Sequence, residues 1–182
     1  MRLSGGVAKG RRLAVKGGDV RPTAAKVREA IFNIIGPRIE GSTFLDLYAG
    51  TGAVGLDALS RGAESAVFVE LNRIRANLIK TIAMELGFSK RVQVFRLKAY
   101  TYLKKISEER KGFDYIFVDP PYHSEETMKV LPLIGDGGLL NENGMLIVEH
   151  FSKRELPERV GRLRRVKTYR YGDTSLTTYR YT

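Results

Sequence analysis

The sequence predicts a three-layer α/β fold on a mainly parallel sheet, closed at its C-terminal edge by an antiparallel hairpin. Three observations predict it. From Thr43 onward, short apolar runs alternate with segments of helical periodicity, the pattern of parallel strands joined by right-handed helical crossovers. The first of these runs leads directly into a glycine-rich turn, Tyr48-Ala49-Gly50-Thr51-Gly52. Near the end, Leu163–Tyr171, Gly172-Asp173 and Thr174–Tyr181 read as strand, turn and strand.

In chain order, Arg2-Leu3-Ser4 and Arg11-Arg12-Leu13-Ala14-Val15 read as two short strands among glycine turns, a small N-terminal β-hairpin. Arg21-Pro22-Thr23 opens a helix with Thr23 as its cap. Val27, Ala30, Ile31, Ile34 and Ile35 recur at helical spacing, and Gly36-Pro37 stops the run. Strands are expected at 43–47, 65–70, 92–95, 113–118 and 144–149, with helices near 53–61, 72–86, 99–109 and 124–134. With the two hairpin strands the sheet has seven. There is no internal repeat, low-complexity stretch or linker, so residues 1–182 read as one domain. Within it, 1–40 form a basic extension of hairpin and helix, and 41–182 form the core.

The chain has 182 residues, no cysteine and two histidines, His123 and His150. That excludes disulfides, thiolate metal sites and cysteine nucleophiles, and no metal is expected. No apolar run has the roughly 18 residues of a membrane span, and Met1-Arg2-Leu3-Ser4-Gly5-Gly6 lacks the apolar core of a secretion signal. A cytoplasmic protein without membrane attachment is expected, and a monomer rather than an oligomer. The net charge of +11 is unevenly placed: residues 1–28 carry eight basic and one acidic side chain, and 153–182 carry nine and three. The middle is slightly acidic. Two basic ends suit a polyanion held by phosphate neutralisation, whereas solvated surface charge is the plainer reading.

Gly50, Gly52 and Gly55 have the G-x-G-x-x-G spacing of nucleotide-cofactor loops, with Glu70 at the next strand end. The spacing alone also suits a purely structural strand-to-helix turn. Asp46, at the strand end and four residues before Gly50, is expected to face the volume in front of the loop, where it chooses between cofactors. A carboxylate there repels a pyrophosphate and favours S-adenosylmethionine, which carries an ammonium and a sulfonium. Unit charges about 4 Å apart interact by about 4 kcal/mol at an effective dielectric of 20. Nicotinamide dinucleotide is the weaker candidate. Glu70 is placed to accept from ribose hydroxyls.

A further apolar strand ends in Asp119-Pro120-Pro121-Tyr122. Ligands of open α/β sheets bind at the carboxyl ends of strands. Consecutive prolines fix φ and remove two backbone donors, which leaves rigid acceptors. Asp119 and the Pro120 carbonyl therefore suit an NH₂ group, such as a nucleobase amine, and Tyr122 offers a face for an extruded base. A proline turn that merely ends a strand, with Tyr122 as packing, is the bland alternative.

These residues resemble a known family. The chain is similar to class I, Rossmann-like methyltransferases of the bacterial type that methylates a guanine N2 amine in 16S ribosomal RNA (the RsmD type). The resemblance covers nearly the whole chain: Gly5-Gly6-Val7-Ala8-Lys9-Gly10-Arg11-Arg12-Leu13, Arg21-Pro22-Thr23, Val27-Arg28-Glu29, Asp46 to Gly52, Leu59-Ser60-Arg61-Gly62-Ala63, Glu70, Asp119 to Tyr122, and Tyr171-Gly172-Asp173-Thr174 with Tyr179. The Asp-Pro-Pro-Tyr tetrad recurs in amino-methyltransferases of DNA and RNA, whereas the Arg-Pro-Thr and Val-Arg-Glu segments are more family-specific. The resemblance implies a Rossmann-like methyltransferase fold, S-adenosylmethionine as cofactor, and 16S ribosomal RNA or the small ribosomal subunit as partner.

The implied catalytic residues are Asp119, Pro120, Pro121 and Tyr122. The implied cofactor set is Asp46, Tyr48, Gly50, Gly52, Glu70, Leu71, Ala99 and Asp119. Arg11, Arg12, Arg21, Arg28 and Tyr122 are the expected RNA contacts, with Arg28 on the polar side of its helix, and Lys9, Arg162, Arg164 and Arg165 are further phosphate candidates. One position departs from the family: Lys98 stands where an aspartate normally binds the adenine amine. A lysine cannot accept that bond, so the backbone at Ala99 is the substitute. The rival readings are an amino-methyltransferase acting on DNA or another RNA, a nucleic-acid-binding module without catalysis and, more distantly, a dehydrogenase.

Overall fold

Strands covered on both faces have no water-facing side to keep polar, which is why the core strands here are short continuous apolar runs. The computed structural model describes residues 2–11, 25–109, 111–121 and 124–182, and the chain divides into two units, Met1–Leu97 and Lys98–Thr182.

In the first unit, helix α1 (Ala25–Ile35) runs into a 3₁₀ turn at Gly36–Ile39. Strand β1 (Thr43–Asp46), helix α2 (Ala53–Ser60), strand β2 (Ser65–Val69), helix α3 (Arg73–Glu85) and strand β3 (Val92–Phe95) follow. The strands form a parallel sheet in the order β3-β2-β1, with Asp46 level with Phe68 and Phe68 level with Val94. All eight residues of α2 are buried. One reason is that the N-terminal segment lies along it: Ser4 donates from its backbone N–H and its hydroxyl to the two Asp57 oxygens (2.7 and 2.8 Å). Ser60 likewise takes the Ala8 N–H at 2.9 Å and donates to the Gly5 carbonyl at 2.6 Å. The second strand expected for the N-terminal hairpin, and the start of α1, lie outside the described residues.

In the second unit, helix α4 (Ala99–Glu108) precedes strand β4 (Phe113–Val118), helix α5 (Glu126–Asp136) and the long strand β5 (Leu140–Phe151). Strands β6 (Arg159–Val160), β7 (Leu163–Tyr171) and β8 (Thr174–Tyr181) complete it. The order is β4-β5-β8-β7-β6. Strands β4 and β5 are parallel and the remaining neighbours antiparallel. Parallel strands linked by helices and an antiparallel C-terminal hairpin are the expected α/β plan. Two details differ from expectation. Strand β5 starts at Leu140, four residues early, and the two-residue β6 brings the strands among the described residues to eight. No helix among the described residues is long and apolar enough to cross a membrane.

Candidate active site

The first unit carries the glycine loop. Gly50 and Gly52 have φ of 55° and 76°, a left-handed region that side chains with a Cβ avoid. A Cβ on Gly52 would also stand 2.8 Å from Ile79 of α3, and one on Gly55 would stand 2.3 Å from the Phe68 ring. Gly55 therefore sets how closely α2 approaches β2. Two carboxylates brace this loop from beneath. Asp46 Oδ2 accepts the Gly55 N–H at 3.0 Å. Glu70 Oε2 accepts the Gly50 N–H and Oε1 the Asn72 N–H, both at 2.8 Å, with the Arg75 guanidinium 4.0 Å away. Asn72 in turn caps α3 by accepting from Ile74 and Arg75.

Asp46 is 1% exposed, so it faces the inside of the turn and not the open volume that the sequence suggests. Burial pushes its carboxyl up to about 7; the Gly55 hydrogen bond opposes that shift and the nearby Glu70 charge adds to it. Beside Glu70, Leu71 and Ile74 are exposed apolar side chains, and Tyr48 is half-buried.

Arg28 requires a correction. It is not on a polar face: it is buried and pairs with the fully buried Asp57, Nε to Oδ2 at 3.0 Å, while Nη2 donates to the Arg2 carbonyl at 2.7 Å. Its helical position, one after Val27 and two before Ala30, puts it on the boundary of the apolar stripe, and the charge of Asp57 draws it inward. Arg28 fastens the N-terminal segment and is not presented to RNA. Arg11 and Lys9 are exposed. Arg12 and Arg21 lie outside the described residues.

The second unit carries the proline turn. Asp119 is half-buried, Pro120 buried and Pro121 exposed; Tyr122 lies outside the described residues. Two side chains that the sequence did not single out hold this turn. Ser124 donates to the Pro121 carbonyl from its N–H (3.0 Å) and its hydroxyl (2.7 Å). Arg154, three residues past β5, donates Nη1 to the Ser124 carbonyl at 2.8 Å and pairs Nη2 with Glu125 at 3.2 Å. A serine three residues after a proline carbonyl is a legible turn signal, but nothing in the sequence points to Arg154. Lys98 is exposed at the start of α4 and makes no side-chain cap there, while Ala99 is buried.

The C-terminal cations separate in the same way. Arg165 is held by Glu158 and the Leu156 carbonyl, both at 3.0 Å, and Arg162 stacks on Tyr181 at 4.4 Å. No cluster of three potential metal ligands occurs among the described residues.

A glycine loop after a first parallel strand, an acidic residue at the next strand end and a proline turn after a later strand are the plan of a Rossmann-like methyltransferase. The family model "Conserved hypothetical protein 95" matches residues 1–180, and the chain belongs to that family. It is 40% identical over 181 residues to "Putative rRNA methyltransferase YlbH" of Bacillus subtilis (strain 168), covering 99% of this chain and 98% of that one. It is 33% identical over 151 residues to "Ribosomal RNA small subunit methyltransferase D" of Haemophilus influenzae, covering 82% and 78%. Among solved structures it is similar to "Putative methyltransferase yhhF from Escherichia coli", with a TM-score of 0.86 and 30% identity over 100% of this chain and 97% of that one.

Proposed function

We propose that this protein transfers a methyl group from S-adenosylmethionine to the exocyclic N2 amine of a guanine in small-subunit ribosomal RNA, acting in the cytoplasm. The observation that carries the reading is the rigid acceptor turn Asp119-Pro120-Pro121, in a chain similar over nearly its full length to ribosomal RNA methyltransferases. The residues present fit the cofactor. Each Glu70 oxygen accepts one backbone N–H, and a carboxylate has about four acceptor sites, so capacity remains for ribose hydroxyls. Leu71 and Ile74, 59% and 74% exposed, provide apolar contact for a flat ring. Gly50 and Gly52 let the loop backbone approach the amino acid part, with Tyr48 beside it. Ala99 is the adenine contact that Lys98 cannot be. Asp46 serves by holding the loop.

When bound, the cofactor supplies an electrophilic methyl on a sulfonium that leaves without further activation. The chain's task is alignment and electrostatics. Asp119 and the Pro120 carbonyl accept the two N–H bonds of the amine and aim its nitrogen. As the N–C bond forms, positive charge builds on that nitrogen, where the Asp119 carboxylate stabilises it until a proton leaves to solvent. Tyr122 stacks on the base. Transfer of labelled methyl to stripped small subunits, naked 16S RNA and DNA tests the reading. Label in the guanine N2 of ribosomal RNA is the expected result. Label only in DNA, or in no nucleic acid, overturns it.

A further inference from the structure

The strand registers of the second unit fix which C-terminal residues share a level with the acceptor turn. Val118 of β4 is level with Val148 of β5, Val148 with Thr177 of β8, and Thr177 with Thr168 of β7. Continuing outward from Val118, the row of Asp119 runs through Glu149 and Leu176 to Tyr169. The next rows run through His150 and Ser175 to Arg170, then through Phe151 and Thr174 to Tyr171. The last three residues of β7 thus stand at the same end of the sheet as Asp119-Pro120-Pro121. The arginines closest to Gly161 do not. Arg164 is level with Arg180, five β8 positions from Ser175, which is about 17 Å down the strand at 3.3 Å per residue.

The chemistry of that end is cationic and aromatic. Phe151, Tyr169 and Tyr171 share one face by register and are half-buried. Lys167 Nζ sits 4.9 Å above the Tyr169 ring, and Lys153 Nζ sits 6.0 Å from the Phe151 ring. Lys153, Lys167 and Arg170 are exposed, and none of them is ion-paired among the described residues; Arg170 Nε reaches only the Gly172 carbonyl at 3.3 Å. The nearest acid in sequence to Lys153 is the exposed Glu155, and to Lys167 and Arg170 it is Asp173, in the hairpin turn, whose carbonyl takes the Ser152 N–H at 2.8 Å. Beyond β6, which pairs only with Leu163 and Arg164, β7 has no outer neighbour among the described strands.

We infer that this rim, made by Phe151, Lys153, Lys167, Tyr169, Arg170 and Tyr171, is the surface that holds the unpaired RNA strand flanking the target guanine. The inference rests on the RNA-methylating function proposed above and adds where the RNA runs. Three strand spacings separate β4 from β7, about 14 Å in all, room for a short run of unstacked nucleotides. Cations over aromatic faces are the combination that single strands use, phosphates on the charges and unstacked bases on the rings. A duplex, whose bases are already stacked, gains only the phosphate contacts.

The test compares two sets of substitutions in the full chain, K153A/K167A/R170A at the rim and R162A/R164A at the opposite end of β7. Affinity for naked 16S RNA is measured against salt, with S-adenosylmethionine binding and thermal midpoint as controls for folding. The rim set is expected to weaken RNA binding at least tenfold and to lower the salt slope by about two to three, with cofactor binding and midpoint unchanged. The opposite set is expected to change affinity less than twofold. Tyr169→Leu, which keeps an apolar side chain, should weaken single-stranded RNA more than duplex RNA. RNA methylation by the parent with an unaffected rim set, or equal losses from both sets, overturns the rim assignment alone. A parent that binds the cofactor but neither binds nor methylates ribosomal RNA overturns the functional reading and the rim together.

Discussion

Replacing Asp57 tests whether the Arg28–Asp57 pair is a structural tie or part of an RNA surface. In the folded chain the two side chains are 5% and 0% exposed and 3.0 Å apart. Asp57→Ala leaves the Arg28 guanidinium buried without its countercharge, holding the Arg2 carbonyl at 2.7 Å, and strands both Ser4 donors. Removing one partner of a buried pair costs about 3–5 kcal/mol. At about 2–4 °C per kcal/mol for a chain of this size, the thermal midpoint should fall by roughly 6–20 °C. Arg28→Met should cost less, about 2–3 kcal/mol, because Asp57 keeps its hydrogen bonds from Ser4. The double substitution Arg28→Met/Asp57→Ala removes both charges and should recover part of the loss of Asp57→Ala. Thermal and urea unfolding of the three variants supply the double-mutant cycle, and RNA affinity is measured alongside. An Arg28→Met protein that keeps the parent's midpoint but loses RNA affinity would refute the structural reading.

Other expectations follow from the same geometry. The Asp46 carboxyl is raised from 3.8 to about 7 in the fold, so between those pH values the folded state holds a proton that the unfolded state has released, and stability falls as pH rises. Asp46→Asn should flatten that fall in urea unfolding followed across pH, and an unchanged slope would remove Asp46 as its source. Gly55→Ala places a Cβ 2.3 Å from the Phe68 ring and should cost about 1–3 kcal/mol of stability, with weaker cofactor binding by calorimetry as α2 is pushed off β2. Asp119→Ala should slow methyl transfer about a hundredfold while S-adenosylmethionine binding stays close to the parent's. Arg154→Ala should lower kcat about ten- to a hundredfold through the loosened turn and leave cofactor affinity unchanged; a loss confined to KM would contradict the clamp.

Local order accounts for what the residues alone reveal. Apolar runs such as Phe44-Leu45 and Ile116-Phe117-Val118, and the stop at Gly36-Pro37, are properties of neighbouring residues, so strands and helices are legible in chain order. The glycine loop and the proline turn are equally local: Gly50 and Gly52 need left-handed φ, and Pro120-Pro121 remove donors wherever they lie. Side-chain partnership is not local. Arg28 is an ordinary helical cation in the sequence, and only the burial of Asp57, 29 residues later, converts it into an interior tie. Asp46 looks open to a ligand until α2 closes over it and the Gly55 N–H takes its oxygen. Arg154 gains its role because β5 ends beside the turn that Ser124 folds. The C-terminal arginines and lysines form one undifferentiated basic stretch in the sequence. The antiparallel register of β7 on β8 sorts them, placing Arg170 level with the acceptor turn and Arg164 far from it, because hydrogen-bonded strand pairing, and not composition, sets which residues share an end of a sheet.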